Sequence, residues 1–277
     1  MPWLELLLIP LGFAVGAYGA IVGAGGGFLL VPALLLVYPD DTQKEITAMS
    51  LAVVLANSLS GSLAYARRRL IDYRTGLTFA TAMVPASFAG AYAVRFLPRS
   101  AFDVTFGLLL VALAVYVAFA MSRGASTVRA PLRRGRSIAT RTMTREDGVT
   151  SRYAYDVRHG LGLSAVTAFA GALFGVGGGI VQVPFMVTVL RIPLDVAIAT
   201  SQFMLIFVAT AGTSTHALAG DFAQRELIRS VLLAVGAIAG AQVGASISRS
   251  WGGTLVGRLL STGLIVVGAR LVLAPVL

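Results

Sequence analysis

Two stretches decide how this chain is read. The first is Gly19-Ala20-Ile21-Val22-Gly23-Ala24-Gly25-Gly26-Gly27-Phe28-Leu29-Leu30-Val31-Pro32. The second is Gly171-Ala172-Leu173-Phe174-Gly175-Val176-Gly177-Gly178-Gly179-Ile180-Val181-Gln182-Val183-Pro184. Gly19, Gly23, Gly25, Gly26, Gly27 and Pro32 all meet an identical residue at one constant offset. After a one-residue slip, Ser50 meets Ser201, Gly61 meets Gly212 and Ser62 meets Thr213. Agreement at this density reads as two copies of one unit. Duplicated halves with matching Gly/Pro-interrupted segments are a recurring plan of secondary transporters.

Three glycines in a row have little helical propensity and reach backbone angles closed to other residues. In lipid, irregular backbone survives only where protein buries it or where it lines a polar cavity. Gly25, Gly26, Gly27 and Gly177, Gly178, Gly179 are therefore expected to break the chain near mid-membrane and to face a cavity. The short helices that follow begin with unpaired N–H groups and the positive end of a dipole, an arrangement that attracts anions. Two such ends, one per half, would converge on one small anion. On this reading a side chain at Gly26 or Gly178 blocks the anion and leaves the fold intact. For Gly19, Gly23, Gly171 and Gly175, spaced by four, close helix packing is the preferred explanation.

The composition agrees with a membrane protein. The 277 residues are 57% hydrophobic and 12% charged, with 31 glycines, and the mean hydropathy is +0.83. A soluble domain carries about 25% charged residues. Apolar segments run over 4–22, 28–38, 46–64, 76–96 and 102–121, then 159–175, 180–190, 196–216, 227–247 and 254–274. Most approach the roughly 20 residues that span a bilayer. Long continuous apolar runs exclude a transmembrane barrel. The expected class is thus an all-α polytopic membrane protein: two homologous helical repeats, each with a Gly-rich break and a short half-helix. The N-terminal segment lacks the basic stretch of a cleavable signal peptide and is expected to be a retained helix.

Residues 1–122 form the first transmembrane repeat and 159–277 the second. Between them, 123–158 carries nine arginines against Glu146, Asp147 and Asp156. It reads as a cytoplasmic linker obeying the positive-inside rule, and Arg67, Arg68, Arg69 and Arg74 mark a second cytoplasmic loop. The net charge of +10 has this origin and does not indicate nucleic acid. If each short segment crosses alone, there are five crossings per half and the repeats are inverted. If it dips and returns, or completes the preceding segment, there are four and the repeats are parallel. Charge does not separate these alternatives. A short segment of 11 or 12 residues rises only about 17 Å against a core of about 30 Å, which favours four.

Polar side chains at membrane depth tend to mark a pathway. Ser50 and Ser201 begin equivalent helices, and Asn57 lies two turns beyond Ser50. Gln182, Asn57 and Gln202 carry amides that need partners for donors and acceptor alike. Asn57 and Gln202 are expected to donate to substrate oxygens from opposite sides. His216 is a candidate proton relay; the simpler alternative is a helix-end histidine beside Gly220 and Asp221. No Asp or Glu sits in the middle of any span, against a carboxylate-based cation site. No cysteine, nucleotide-binding loop, metalloprotease motif or nucleophile elbow is present. The chain is therefore expected to be no enzyme, with no catalytic residues, no metal and no cofactor.

The paired pattern Gly-x-x-x-Gly-x-Gly-Gly-Gly followed five residues later by Pro, once per half, resembles the sulfite exporter TauE/SafE family. The resemblance covers nearly the whole chain. It implies a multi-pass transporter of the bacterial inner membrane that moves sulfite or a related organosulfur anion, with the lipid bilayer as its other partner. An anion channel or an intramembrane enzyme are the alternatives.

Overall fold

The computed structural model describes residues 5–122, 137–144, 146, 148 and 150–248. The expected segment 254–274 and the first part of the arginine-rich stretch lie outside the described residues. In the first half, α1 (Leu8–Val22), α2 (Gly27–Val37), α3 (Gln43–Arg67), α4 (Tyr73–Ala93) and α5 (Arg99–Ser122) follow one another. After a two-stranded hairpin come α6 (Val157–Leu173), α7 (Gly179–Thr188), α8 (Leu194–Leu218) and α9 (Gln224–Ile247). Four helices among the described residues are long and apolar enough to cross a bilayer: α3, α4 with the short turn after it, α8 and α9. Local chemistry sets several starts. Thr42 and Glu45 form a reciprocal capping box at α3, and the Asp72 carboxylate accepts from the Thr75 N–H at α4, satisfying donors that a helix start leaves free.

α3 and α8 pack together and run antiparallel. Lys44, at the start of α3, pairs with Asp221 beyond the end of α8. At the other end the Asp72 N–H donates to Thr200 in the first turns of α8. Between them Gly61 lies against Gln202 and Gly212 against Leu51. Helices that the sequence equates therefore point in opposite directions, which corrects the expectation of parallel halves. The short helices explain the error. α1 runs alongside α9, with Gly12 on Leu233 and Gly16 on Ala237. α2 returns to the end from which α1 entered, where Tyr38 stacks under Arg229 near the start of α9. α1 and α2 are thus an inward and a return arm. α6 and α7 repeat the plan from the opposite end.

The glycines make the two turns. Gly23, Gly25, Gly26, Gly175, Gly177 and Gly178 all have φ between 72° and 86°, the left-handed region that favours glycine. Gly23 and Gly175 are thus turn residues and not packing positions, whereas Gly19 and Gly171 do serve close packing: a methyl on either would lie 2.3 or 2.1 Å from the N of Gly26 or Gly178. Gly26 and Gly178 face their own preceding helices. A methyl there would lie 2.7 Å from the Val15 carbonyl oxygen or 2.5 Å from that of Thr167. The expectation that a side chain at these two positions would meet only the anion is corrected accordingly.

One element amends the all-helical expectation. Within the stretch read as a linker, β1 (Ile138–Thr144) pairs antiparallel with β2 (Thr150–Asp156), Ile138 opposite Asp156. Period-two alternation puts Ala139, Arg141 and Met143 on one face with Ser151, Tyr153 and Tyr155, and Thr140, Thr142 and Thr144 on the other. Tyr153 and Tyr155, on the first face, are packed with Phe79 and Met186. Tyr153 donates to Asp72 at 2.7 Å, and Tyr155 meets the Thr75 hydroxyl at 2.7 Å. Burial, then the bond to Asp72, pushes the Tyr153 phenol upward and keeps it a donor. Thr75 also donates to Asp72 through its hydroxyl. The hairpin is therefore pinned to the arginine-rich end of the bundle.

Two predictions follow from this geometry. With no native cysteine, Arg67→Cys and Ala219→Cys report the two ends of the bundle. A membrane-impermeant thiol reagent should reach them from opposite sides; labelling from one side would contradict the antiparallel halves. Gly178→Ala combines a positive φ with backbone contact and should lower thermal stability by about 1–3 kcal/mol. Unchanged melting of the purified variant would show that the turn relaxes freely.

Candidate functional site

The two glycine turns meet side by side in the middle of the bundle. A methyl on Gly27 would lie 2.7 Å from the Gly175 oxygen and 2.8 Å from the Val176 Cα; one on Gly179 would lie 2.7 Å from the Gly23 oxygen and 2.9 Å from the Ala24 Cα. Each helix start thus rests on the other half's turn. Side chains from the long helices lock the contact. Ser50 on α3 donates to the Gly175 carbonyl at 2.7 Å, and Ser201 on α8 donates to the Gly23 carbonyl at 2.9 Å. Both serines had been expected to touch substrate, or else to bond their own helices. Both instead bind the glycine turn of the opposite half.

These bonds change the electrostatics of the turns. The carbonyls of α1 are the negative end of its dipole, and a helix end leaves them without partners. Here they are occupied. Gly19 O accepts from Ala24 N and Gly25 N and from Gln202 Nε2 at 3.2 Å, and Ala20 O accepts from the Tyr65 hydroxyl at 2.8 Å. The matching turn after α6 closes through Val176 N and Gly177 N onto Gly171 O. The N–H groups of Gly26, Gly27 and Phe28, and those of Gly178, Gly179 and Ile180, have no hydrogen-bond partner among the described residues. Donors remain at both helix starts while the carbonyls of Gly19, Ala20, Gly23, Gly171 and Gly175 are bonded, which favours an anion over a cation there.

The amides separate into three cases. Gln182 is satisfied within its own half: Thr167 donates to its oxygen at 2.7 Å and its nitrogen donates to Ser164 at 2.9 Å. It ties α7 to α6. Gln202 spends its donor on Gly19, and its oxygen has no partner. Asn57 is fully buried, and neither its nitrogen nor its oxygen has a protein partner. The structure does not make Asn57 and Gln202 an equivalent pair of free donors.

Two residues that sequence reasoning missed stand closest to both turns. A methyl on Gly25 would lie 2.9 Å from Leu205 and 3.0 Å from Val54; one on Gly177 would lie 2.9 Å from each. Val54 and Leu205 occupy matching places on α3 and α8. Aliphatic residues in apolar helices carry no contrast, so only the position opposite a glycine could have marked them. Asn57 lies one turn beyond Val54 on the same face, by helical spacing.

His216 lies elsewhere. It is buried at the end of α8, its Nδ1 2.8 Å from Asp221 Oδ2 and its Nε2 without a partner. Arg95 and Lys44 from the first half join the same carboxylate, at 2.6 and 3.8 Å. The cluster ties the halves together at the end opposite the hairpin, as Asp72 does at the arginine-rich end. A groove of about 370 Å³ between α3, α8 and α9 is lined by Ala52, Thr213, Ser230 and apolar neighbours. None of the expected site residues lines it.

Comparison with known proteins gives the family. The profile of the family described as "Sulfite exporter TauE/SafE" matches residues 8–271. The "Probable membrane transporter protein YunE" of Bacillus subtilis (strain 168) is 29% identical over 273 residues, covering 96% of this chain and 97% of that protein. The "Probable membrane transporter protein MJ0441" of Methanocaldococcus jannaschii is 28% identical over 220 residues, covering 76% and 73%. No solved structure matches. A profile match spanning both glycine turns and the long helices around them places the chain in a known group: it belongs to the sulfite exporter TauE/SafE family of membrane transporters.

Proposed function

We propose that the chain is a secondary transporter of a small oxyanion, sulfite or a related organosulfur anion, exported across the bacterial inner membrane. It is built from two homologous repeats of inverted orientation. The arginine-rich end, with the hairpin, is the cytoplasmic side, because clustered arginines resist translocation. The anion sits between the glycine turns, held by the free N–H groups that open α2 and α7.

Asn57 is the observation that carries this reading. Burying an amide without a partner costs about 1–3 kcal/mol. A substrate oxygen accepting from its Nδ2 removes that cost when bound. A neutral donor does so without the larger desolvation cost of a buried cation. Ser50 and Ser201 act indirectly, by occupying the turn carbonyls that would otherwise repel the anion. Gln202 acts in the same way on Gly19, and its free oxygen is available to accept a hydrogen bond from a protonated substrate. Val54 and Leu205 close the centre, which supports a carrier that alternates over an open channel. His216, in its ion cluster, is a contact that opens and closes with the outer end and is not part of the anion site.

Sulfite uptake into proteoliposomes, driven by its own gradient and competed by short sulfonates, tests the reading. Saturable flux is expected; none from correctly inserted protein would overturn it. Asn57→Leu sharpens the test. Losing one hydrogen bond to a charged group should weaken sulfite binding roughly 10- to 150-fold. Because no protein partner is lost, melting temperature should hold or rise. Lower stability with unchanged affinity would show that Asn57 serves the fold.

A further inference from the structure

Val54 and Leu205 are more than filler, and the inference here deepens the transporter reading on which it rests. They stand at matching positions of the two halves, and each touches both glycine turns. With Ala209 they form a small buried cluster, separate from the two larger cores of the bundle. On the turn side the wall is Gly25 and Gly177, which have no side chain to withdraw. Their backbone is held by Ser50, Ser201 and the reciprocal packing of Gly27 and Gly179. Val54 and Leu205 are thus the side chains that meet the open faces of Gly25 and Gly177.

We propose that Val54 and Leu205 are the size-determining pair of the transporter, admitting a small oxyanion and excluding sulfonates with bulky substituents. The two differ in their freedom. Valine in a helix is nearly fixed at χ1, whereas leucine has a second torsion to turn. Val54 is thus the fixed post and Leu205 the side chain that swings to let the anion pass. Both surfaces are apolar, so a substrate's alkyl group meets them without losing hydrogen bonds, while its sulfonate oxygens face the N–H groups of α2 and α7.

Flux of sulfite and of benzenesulfonate, measured on the same proteoliposome batches, gives a ratio independent of insertion yield. Val54→Ala and Leu205→Ala should each raise the benzenesulfonate-to-sulfite ratio by about tenfold or more, the scale on which a pocket discriminates by a few carbons. Val54→Ile adds one methylene and should slow sulfite by about tenfold; it serves also if the alanine variants fail to insert. An unchanged ratio in alanine variants that move sulfite, or wild-type sulfite flux in Val54→Ile, overturns the size-determining role. Absence of any flux in the wild-type protein removes the transporter reading itself and the gate with it, an outcome seen before any variant is compared.

Discussion

Backbone that leaves the helix inside a bilayer must be buried in protein or line a polar cavity. The rest of this structure depends on how that constraint is met at two glycine turns. Each turn folds N–H groups back onto a helix carbonyl, those of Ala24 and Gly25 onto Gly19 and those of Val176 and Gly177 onto Gly171. The carbonyl that opens each turn, Gly23 or Gly175, accepts from a serine of the other half. Neither half completes its turn alone. The same exchange recurs in the packing: α1 lies on α9, and α6 on α4, so that the first helix of each half rests on a long helix of the other. Glycine is required at the contact because backbone meets backbone there.

The two glycine turns are alike in backbone angles; the amides near them are not paired. At the offsets that align the glycines, Asn57 corresponds to Val208, Gln202 to Leu51 and Gln182 to Leu30. The ends of the bundle differ as well. Asp72 is held by tyrosines of the hairpin, Asp221 by Arg95, Lys44 and His216. Both carboxylates meet cations, Arg141 at Asp72 and Arg95 and Lys44 at Asp221, and Asp72 adds the Tyr153 phenol.

Much of this was legible in the sequence, for identifiable reasons. Apolar run length located the helices among the described residues, and the glycine clusters marked where the chain turns at positive φ, which glycine adopts at the least cost. The direction of the halves was not legible. Arg225 and Arg229 balanced Arg191 and Arg249 in the charge count, and length alone could not tell a return arm from half a crossing. The hairpin was hidden by its arginines, although Thr140, Thr142 and Tyr153, Tyr155 alternate as a strand does. Ser50, Ser201 and Gln202 stand out in the sequence as polar residues in apolar helices, yet their partners are carbonyls of the opposite half, which no local pattern encodes. Gln182 is bonded through Ser164 and Thr167, two residues whose spacing along α6 offered a clue that was not read.

The account's central claim is that both helix ends act on a single anion. Calorimetric titration of sulfite into the purified wild-type protein measures this directly through its stoichiometry. One sulfite per chain is the result predicted by two turns that share a centre. Two equivalent sulfites per chain, one for each helix end, or no binding by folded protein, would contradict it.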